Sequence, residues 1–193
     1  EQHRQEDQEF LDLLGAFRRG EFSSAHRSRL TARVGVLSKE AVATRLYTHN
    51  ENVDRINQES LREIKSPSHV FQMTSRGASA LVESLKKQCL SPETLELKEG
   101  AKVLFTRNNF EAGYVNGTLG EVIDFTALGG PIVKTKTQTI TVEPAEWVIQ
   151  DGNRILARIA QVPLRLAWAI TVHKSQGMSL DAAVIDLSQA FEY

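Results

Sequence analysis

The feature that most constrains this chain is a series of turn signals between residues 98 and 162. Asn116-Gly117, Gly129-Gly130-Pro131 and Asp151-Gly152-Asn153 divide that stretch into short segments with strand character. Residues 101–106, 118–125, 132–136, 139–143, 147–149 and 155–162 each read as a strand. Five or six short strands in about 65 residues suggest a small antiparallel barrel.

The flanks follow a different rule. Residues 41–47 read as a short buried strand that runs into Thr48-His49-Asn50. An amphipathic helix follows, with Val53, Ile56, Asn57 and Leu61 on one side. Strand, polar turn and helix make one unit of an α/β domain. Further upstream, Phe10, Leu11, Leu13, Leu14 and Phe17 have helical spacing, Gly20 is a stop signal, and Ser23 or Ser24 can cap a second helix reaching about Val34. Residues 65–97 have mixed periodicity, with a short helix expected over 82–90 and ended by Ser91-Pro92. After Pro163 the α/β pattern returns: 166–170 is apolar, 171–177 polar and glycine-ended, and 182–187 a continuous apolar strand. The expected fold class is α/β, a parallel-sheet domain interrupted by a small antiparallel barrel. Its expected segments are 1–97, 98–162 and 163–193.

Composition removes several classes. The longest apolar run, 164–172, is interrupted by Arg165 and falls far short of the roughly 18 residues of a membrane span. No secretory signal is present, and the first residue is Glu. Cys89 is the single cysteine, which excludes an internal disulfide and fits a reducing compartment. With 23 basic and 24 acidic side chains the net charge is −1, so any nucleic-acid site must be local. His3, His26, His69 and Cys89 lack metal-ligand spacing, and no metal site is expected. Trp147 and Trp168 lie in strand patterns and read as core, while Asp181 and Asp186 lack a second carboxylate at catalytic spacing.

Chemistry concentrates in residues 167–180, Ala167-Trp168-Ala169-Ile170-Thr171-Val172-His173-Lys174-Ser175-Gln176-Gly177-Met178-Ser179-Leu180. A buried strand delivers a polar turn whose backbone N–H groups and one ammonium suit a phosphate backbone. Bare composition by itself favours a solvated loop closed by a glycine cap. The full string resembles motif V of superfamily-one helicases, in the form found in Pif-type and RecD-related enzymes. Residues 45–57 resemble the strand and helix near the start of that family's second RecA-like domain. Residues 97–108 and 115–122 resemble the entry to its Src-homology-3-like barrel, and residues 1–10 its motif IV segment.

The resemblance implies a partial RecA-like, P-loop NTPase-type domain carrying the barrel as an insertion. It assigns Arg4 to the γ-phosphate as a catalytic arginine, with Gln176 and Gly177 also toward the nucleotide. Thr48, His49, Asn50, Thr171, His173, Lys174 and Ser175 fall on the DNA side. Read locally, Arg4 is a surface charge and Thr48 or Asn50 a helix cap. Gly15 to Gly20 has P-loop spacing, but Glu21-Phe22 stands where Lys and Ser/Thr are needed. Asn116-Gly117-Thr118 fits a glycosylation sequon yet reads first as a tight hairpin turn.

The implied parent is an ATP-dependent 5′-to-3′ DNA helicase of repair, recombination or telomere maintenance. ATP and Mg²⁺ would be held mainly by a first RecA-like domain upstream. The chain is expected to stop before motif VI and to be inactive alone, because Walker A and Walker B elements are absent. Implied partners are single-stranded DNA, forked or structured DNA and that first domain. The implied state is a monomer, with no membrane partner. The implied location is intracellular: bacterial cytoplasm, nucleus or mitochondrion. Rival readings are a RecD-type subunit of a recombination nuclease complex and a non-enzymatic DNA- or protein-binding module.

Overall fold

The computed structural model describes residues 7–35, 44–48, 50–176 and 183–186. The chain divides into two units, Glu1–Val42 and Ala43–Tyr193. In the first, α1 (Gln8–Arg19) starts where the Asp7 carboxylate accepts the Phe10 N–H at 3.1 Å. It ends at Gly20, whose φ of 71° lets its N–H reach the carbonyls of Ala16 and Phe17. The glycine pair at 15 and 20 therefore belongs to a capped helix. A second helix, α2 (Ser24–Thr31), opens on a reciprocal cap between Ser23 and His26.

The second unit contains the remaining elements. A parallel sheet has the order β12–β1–β13, built from β1 (Thr44–Tyr47), β12 (Ala169–Thr171) and β13 (Ala183–Ile185). The helix α3 (Asn50–Glu63) packs on β12 and β1. Val53, Asn57 and Leu61, spaced four apart, are its buried stripe. The parallel sheet and the antiparallel strands together give the expected mixed α/β class.

Everything from residue 69 to 166 lies between α3 and β12 in the chain. Five strands pair antiparallel in the order β11–β5–β6–β7–β8: β5 (Lys102–Phe105), β6 (Leu119–Phe125), β7 (Pro131–Thr135), β8 (Thr139–Thr141) and β11 (Leu164–Leu166). Three more form β3–β10–β9, from β3 (Thr74–Gly77), β9 (Ala145–Asp151) and β10 (Arg154–Gln161). The pair β2 (His69–Gln72) and β4 (Thr94–Leu97) completes the set. The antiparallel pairings thus extend beyond 98–162 in both directions. Residues 69–77 and 94–97 carry no alternation strong enough to read as strands. All four residues of β3 are exposed, and its pairing depends on β10, some 80 positions away.

The main core of this part holds Leu95, Leu97, Val103, Phe105, Val122, Val133 and Leu164, and takes in Leu61 from α3. Each large side chain removed from water contributes about 1.5–3 kcal/mol. Gly120 is required here, because a Cβ at that position would lie 2.4 Å from Val133 Cγ1 and 3.0 Å from the Lys134 carbonyl oxygen. A second core forms where α4 (Ser79–Gln88) lays Val82 and Leu85 on Ala157 and Ile159 of β10. Trp147 packs against this second core and Trp168 against the first.

The Asn116-Gly117 signal marks a turn, but of another type than expected. Only Gly117 has positive φ, at 92°, and the Thr118 N–H bonds the Val115 carbonyl at 3.0 Å. That pattern fits a type II turn, and it closes a loop over residues 106–118 instead of a two-residue hairpin. Between the loop ends, Gly117 N–H donates to the Phe105 carbonyl at 2.8 Å and Phe105 N–H to that of Thr118 at 2.9 Å.

Candidate functional site

The site begins with a register. In the parallel pair, Arg45, Leu46 and Tyr47 lie opposite Ala169, Ile170 and Thr171. The two strands end together, so Thr48 and the segment after Thr171 emerge side by side at the carboxyl edge of the sheet. Open α/β sheets bind their ligands at that edge.

A buried amide fixes the strand that supplies the turn. Asn57 of α3, 5% exposed, donates from Nδ2 to the Ala169 carbonyl at 2.9 Å. Its Oδ1 accepts the Ala169 N–H at 3.0 Å. Because the Arg45 N–H donates to the Trp168 carbonyl, the polar groups of Ala169 face away from β1. Asn57 satisfies both of them, as a neighbouring strand would.

Beyond Ala169 the chain turns into one turn of helix, α5 (Val172–Ser175), which packs against β12 and β1. Thr171 is 3% exposed, and its hydroxyl accepts the Lys174 N–H at 3.3 Å. Its hydroxyl is therefore committed to holding the turn. The Ser175 hydroxyl donates to the Val172 carbonyl at 2.8 Å. His173 and Gln176 are exposed, and Lys174 and Ser175 half-buried. The structure brings together Thr48, Thr171, His173, Lys174, Ser175 and Gln176. Arg4, His49 and Gly177 lie outside the described residues, as does the side chain of Asn50.

Electrostatics add a residue that motif reading passed over. Burial pushes the Lys174 pKa below its ordinary value, and the neighbouring Arg165 guanidinium pushes the same way, while Asp54 opposes them. Arg165 itself is pushed down by burial and pushed up by Asp54. Two cations thus share one carboxylate at the end of α3 nearest the sheet edge. Only the interruption of the apolar run at Arg165 hinted at this in the sequence.

A separate cleft of about 530 Å³ opens among Arg107, Asn109, Tyr114, Glu143 and Ala145. Its arginine is already engaged, with the guanidinium 5.4 Å from the Trp147 ring centroid and hydrogen-bonded to the Glu146 carbonyl.

Among the described residues no group of three or more His, Cys, Asp or Glu side chains is placed to hold a metal. The backbone N–H of Gly20 is spent on its helix cap, so that segment cannot cradle a triphosphate. The described residues do not fit a complete site for ATP and Mg²⁺. No described helix is long and apolar enough to cross a membrane.

Comparison with known proteins gives this geometry a family. A family model described as "DNA helicase Pif1, 2B domain" matches residues 80–125. The ATP-dependent DNA helicase Pif1 of Bdellovibrio bacteriovorus is 36% identical over 96% of this chain, which spans 43% of that protein. A crystal structure of Bacteroides sp Pif1 in complex with ADP-AlF4 superposes with a TM-score of 0.82 at 27% identity, covering 98% of this chain and 45% of that one. A structure of Bacteroides Pif1 bound to ssDNA gives a TM-score of 0.63 at 26% identity, covering 97% and 45%. The chain spans less than half the length of each of these relatives. In sequence and in the arrangement of its parallel sheet and inserted antiparallel strands, the chain belongs to the Pif1-type helicases of superfamily one, matching their C-terminal portion.

Proposed function

We propose that this chain is the C-terminal motor portion of an ATP-dependent DNA helicase that moves 5′ to 3′ along single-stranded DNA. Residues up to 63 and from 167 onward serve as the second RecA-like domain, and the antiparallel strands between them as the inserted barrel. The observation that carries this reading is the register of Tyr47 with Thr171, which sets two polar turns side by side at one sheet edge. Thr48, His49 and Asn50 on one turn, and His173, Lys174 and Ser175 on the other, grip the DNA backbone. Thr171 shapes the second turn from within.

Arg4, Gln176 and Gly177 serve the nucleotide side. The phosphate cradle and the magnesium ligands belong to a first RecA-like domain upstream, and ATP with Mg²⁺ is bound mainly there. When bound, that group supplies the γ-phosphoryl whose hydrolysis drives the motor. Arg4, a planar guanidinium, would face the γ-phosphate and supply positive charge there. Closing the cleft moves one DNA grip relative to the other, so alternating phosphate contacts ratchet along the strand. The enzyme works as an intracellular monomer on forked or structured DNA, in repair, recombination or telomere maintenance.

The test is unwinding by the full-length protein of a fork with a 5′ single-stranded tail and of its 3′-tailed counterpart. ATP-dependent unwinding of the 5′-tailed substrate alone is expected. Unwinding only from a 3′ tail refutes the polarity. Tight DNA binding with no DNA-stimulated ATP hydrolysis favours a binding module.

A further inference from the structure

Arg165 sits on β11 directly opposite Leu104 of β5. Paired residues on adjacent strands present their side chains to the same face. Leu104 packs with Leu46, Ala167 and Ile170, in the seam between the antiparallel strands and the parallel sheet. Arg165 therefore points into that seam, while its chain neighbour Leu164 faces the antiparallel core.

The surroundings of Arg165 leave its guanidinium incompletely met. Nη1 donates to the Leu90 carbonyl at 3.3 Å, and the buried Nε has no hydrogen-bond partner. Among the described residues no carboxylate lies within ion-pair distance of Arg165 or Lys174, and Asp54 acts on both only through its field. A buried cation normally meets its charge in a hydrogen-bonded partner. Among the described residues two cations feel one carboxylate, and the Arg165 Nε–H is an unused donor.

We propose that Arg165 is a second DNA-backbone contact of this site, its half-buried side chain meeting a phosphate of the single strand held by the 171–176 turn. A guanidinium fits this task, since its planar fork can take two oxygens of one phosphate. The role presupposes that the turn binds single-stranded DNA. It also makes the inserted strands part of the grip, because Arg165 rides on an edge strand of the five-stranded sheet. A bound phosphate joins two positive groups that otherwise repel, which ties the seam together when DNA is present.

The test uses the full-length enzyme and a fluorescently labelled oligo(dT) strand, titrated across a range of salt concentrations. Arg165→Met preserves bulk and removes the charge, and Arg165→Lys keeps the charge without the fork. Arg165→Met is expected to weaken binding by roughly tenfold or more. It should also reduce the slope of log affinity against log salt by about 0.7, the loss of one single-strand phosphate contact. Its melting temperature without DNA should hold or rise, because an uncompensated cation has gone. Arg165→Lys should recover the salt slope and part of the affinity.

Wild-type affinity and slope in Arg165→Met would overturn the proposal. So would a fall in melting temperature that accompanies lost affinity in both variants alike, since that marks a purely structural arginine. Lys174→Ala separates this from the broader reading. If it weakens binding while Arg165→Met does not, only Arg165 is misassigned; if neither variant changes binding, the turn itself is not the DNA site.

Discussion

Asn57 and Ala169 are 112 positions apart in the chain, yet the Asn57 side-chain amide forms two hydrogen bonds with the Ala169 backbone, at 2.9 and 3.0 Å. Through this pair, the helix that follows one polar turn holds the strand that presents the other. Asn57→Ala would leave a buried N–H and a buried carbonyl unmet, at a cost of about 2–4 kcal/mol in total. Denaturant unfolding of the chain should show that loss. DNA affinity should fall with it, because the Thr171 cap follows directly from Ala169. A loss below about 0.5 kcal/mol would mean that water or a shifted strand replaces the amide.

Gln161 plays a comparable part among the antiparallel strands. It is 2% exposed, and its Nε2 reaches the carbonyls of Phe71, Pro92 and Glu93 at 3.3, 2.9 and 3.0 Å. Its Oε1 accepts the Val162 N–H at 2.9 Å. Gln161→Leu keeps the volume but orphans these groups, and should destabilise the fold by about 2–4 kcal/mol. Amide hydrogen exchange should quicken first in β2 and β4.

The single thiol is expected to be quiet. Burial raises the Cys89 pKa, with Ser91 hydrogen bonds and the Arg107 charge acting the other way. A thiol raised on folding contributes stability that is fully present below its unfolded pKa and is lost as pH rises through its folded pKa. Alkylation of the native chain near pH 8 should therefore be slow, and should accelerate sharply in denaturant. Rapid labelling under native conditions would contradict its burial.

Lys174 predicts a pH dependence of opposite origin. Burial and Arg165 depress its pKa, so the ammonium is lost at lower pH than in an ordinary lysine. Single-strand affinity in the full-length enzyme should decline as pH rises through that depressed value, ahead of the ordinary range. Lys174→Arg should remove the decline, since a guanidinium stays charged. An unchanged pH profile in that variant would exclude Lys174 as the titrating contact.

The outline of the fold was legible because its signals are local. Asn116-Gly117, Gly129-Gly130 and Asp151-Gly152 punctuate the antiparallel strands, and Val53, Asn57 and Leu61 share a helix face. The strands at 69–77 were not legible, since Thr74-Ser75-Arg76-Gly77 is exposed throughout and gains its structure by pairing with β10. The motif at Thr171 to Gln176 stood out as a string of polar residues. What lies behind it did not: no local pattern tells that Asn57 meets Ala169, 112 positions away, or that Asp54 on α3 acts on both Arg165 and Lys174. The Asn-Gly turn was seen, and its type misjudged, because the residues before it belong to a loop that the dipeptide does not encode.

The central claim is that the edge where β1 and β12 end carries the DNA, and site-specific crosslinking tests it most directly. Cys89 is buried, so once any accessible cysteines outside this chain are replaced, a cysteine introduced at Val172, which is 38% exposed, offers an accessible thiol for a photoreactive label. A label at exposed Gln150, on β9, serves as the comparison. In the full-length enzyme at saturating oligo(dT), irradiation should join the strand to position 172 strongly and to position 150 weakly or not at all. Equal crosslinking at both, or none at 172 in an enzyme that still binds the strand, would contradict the account.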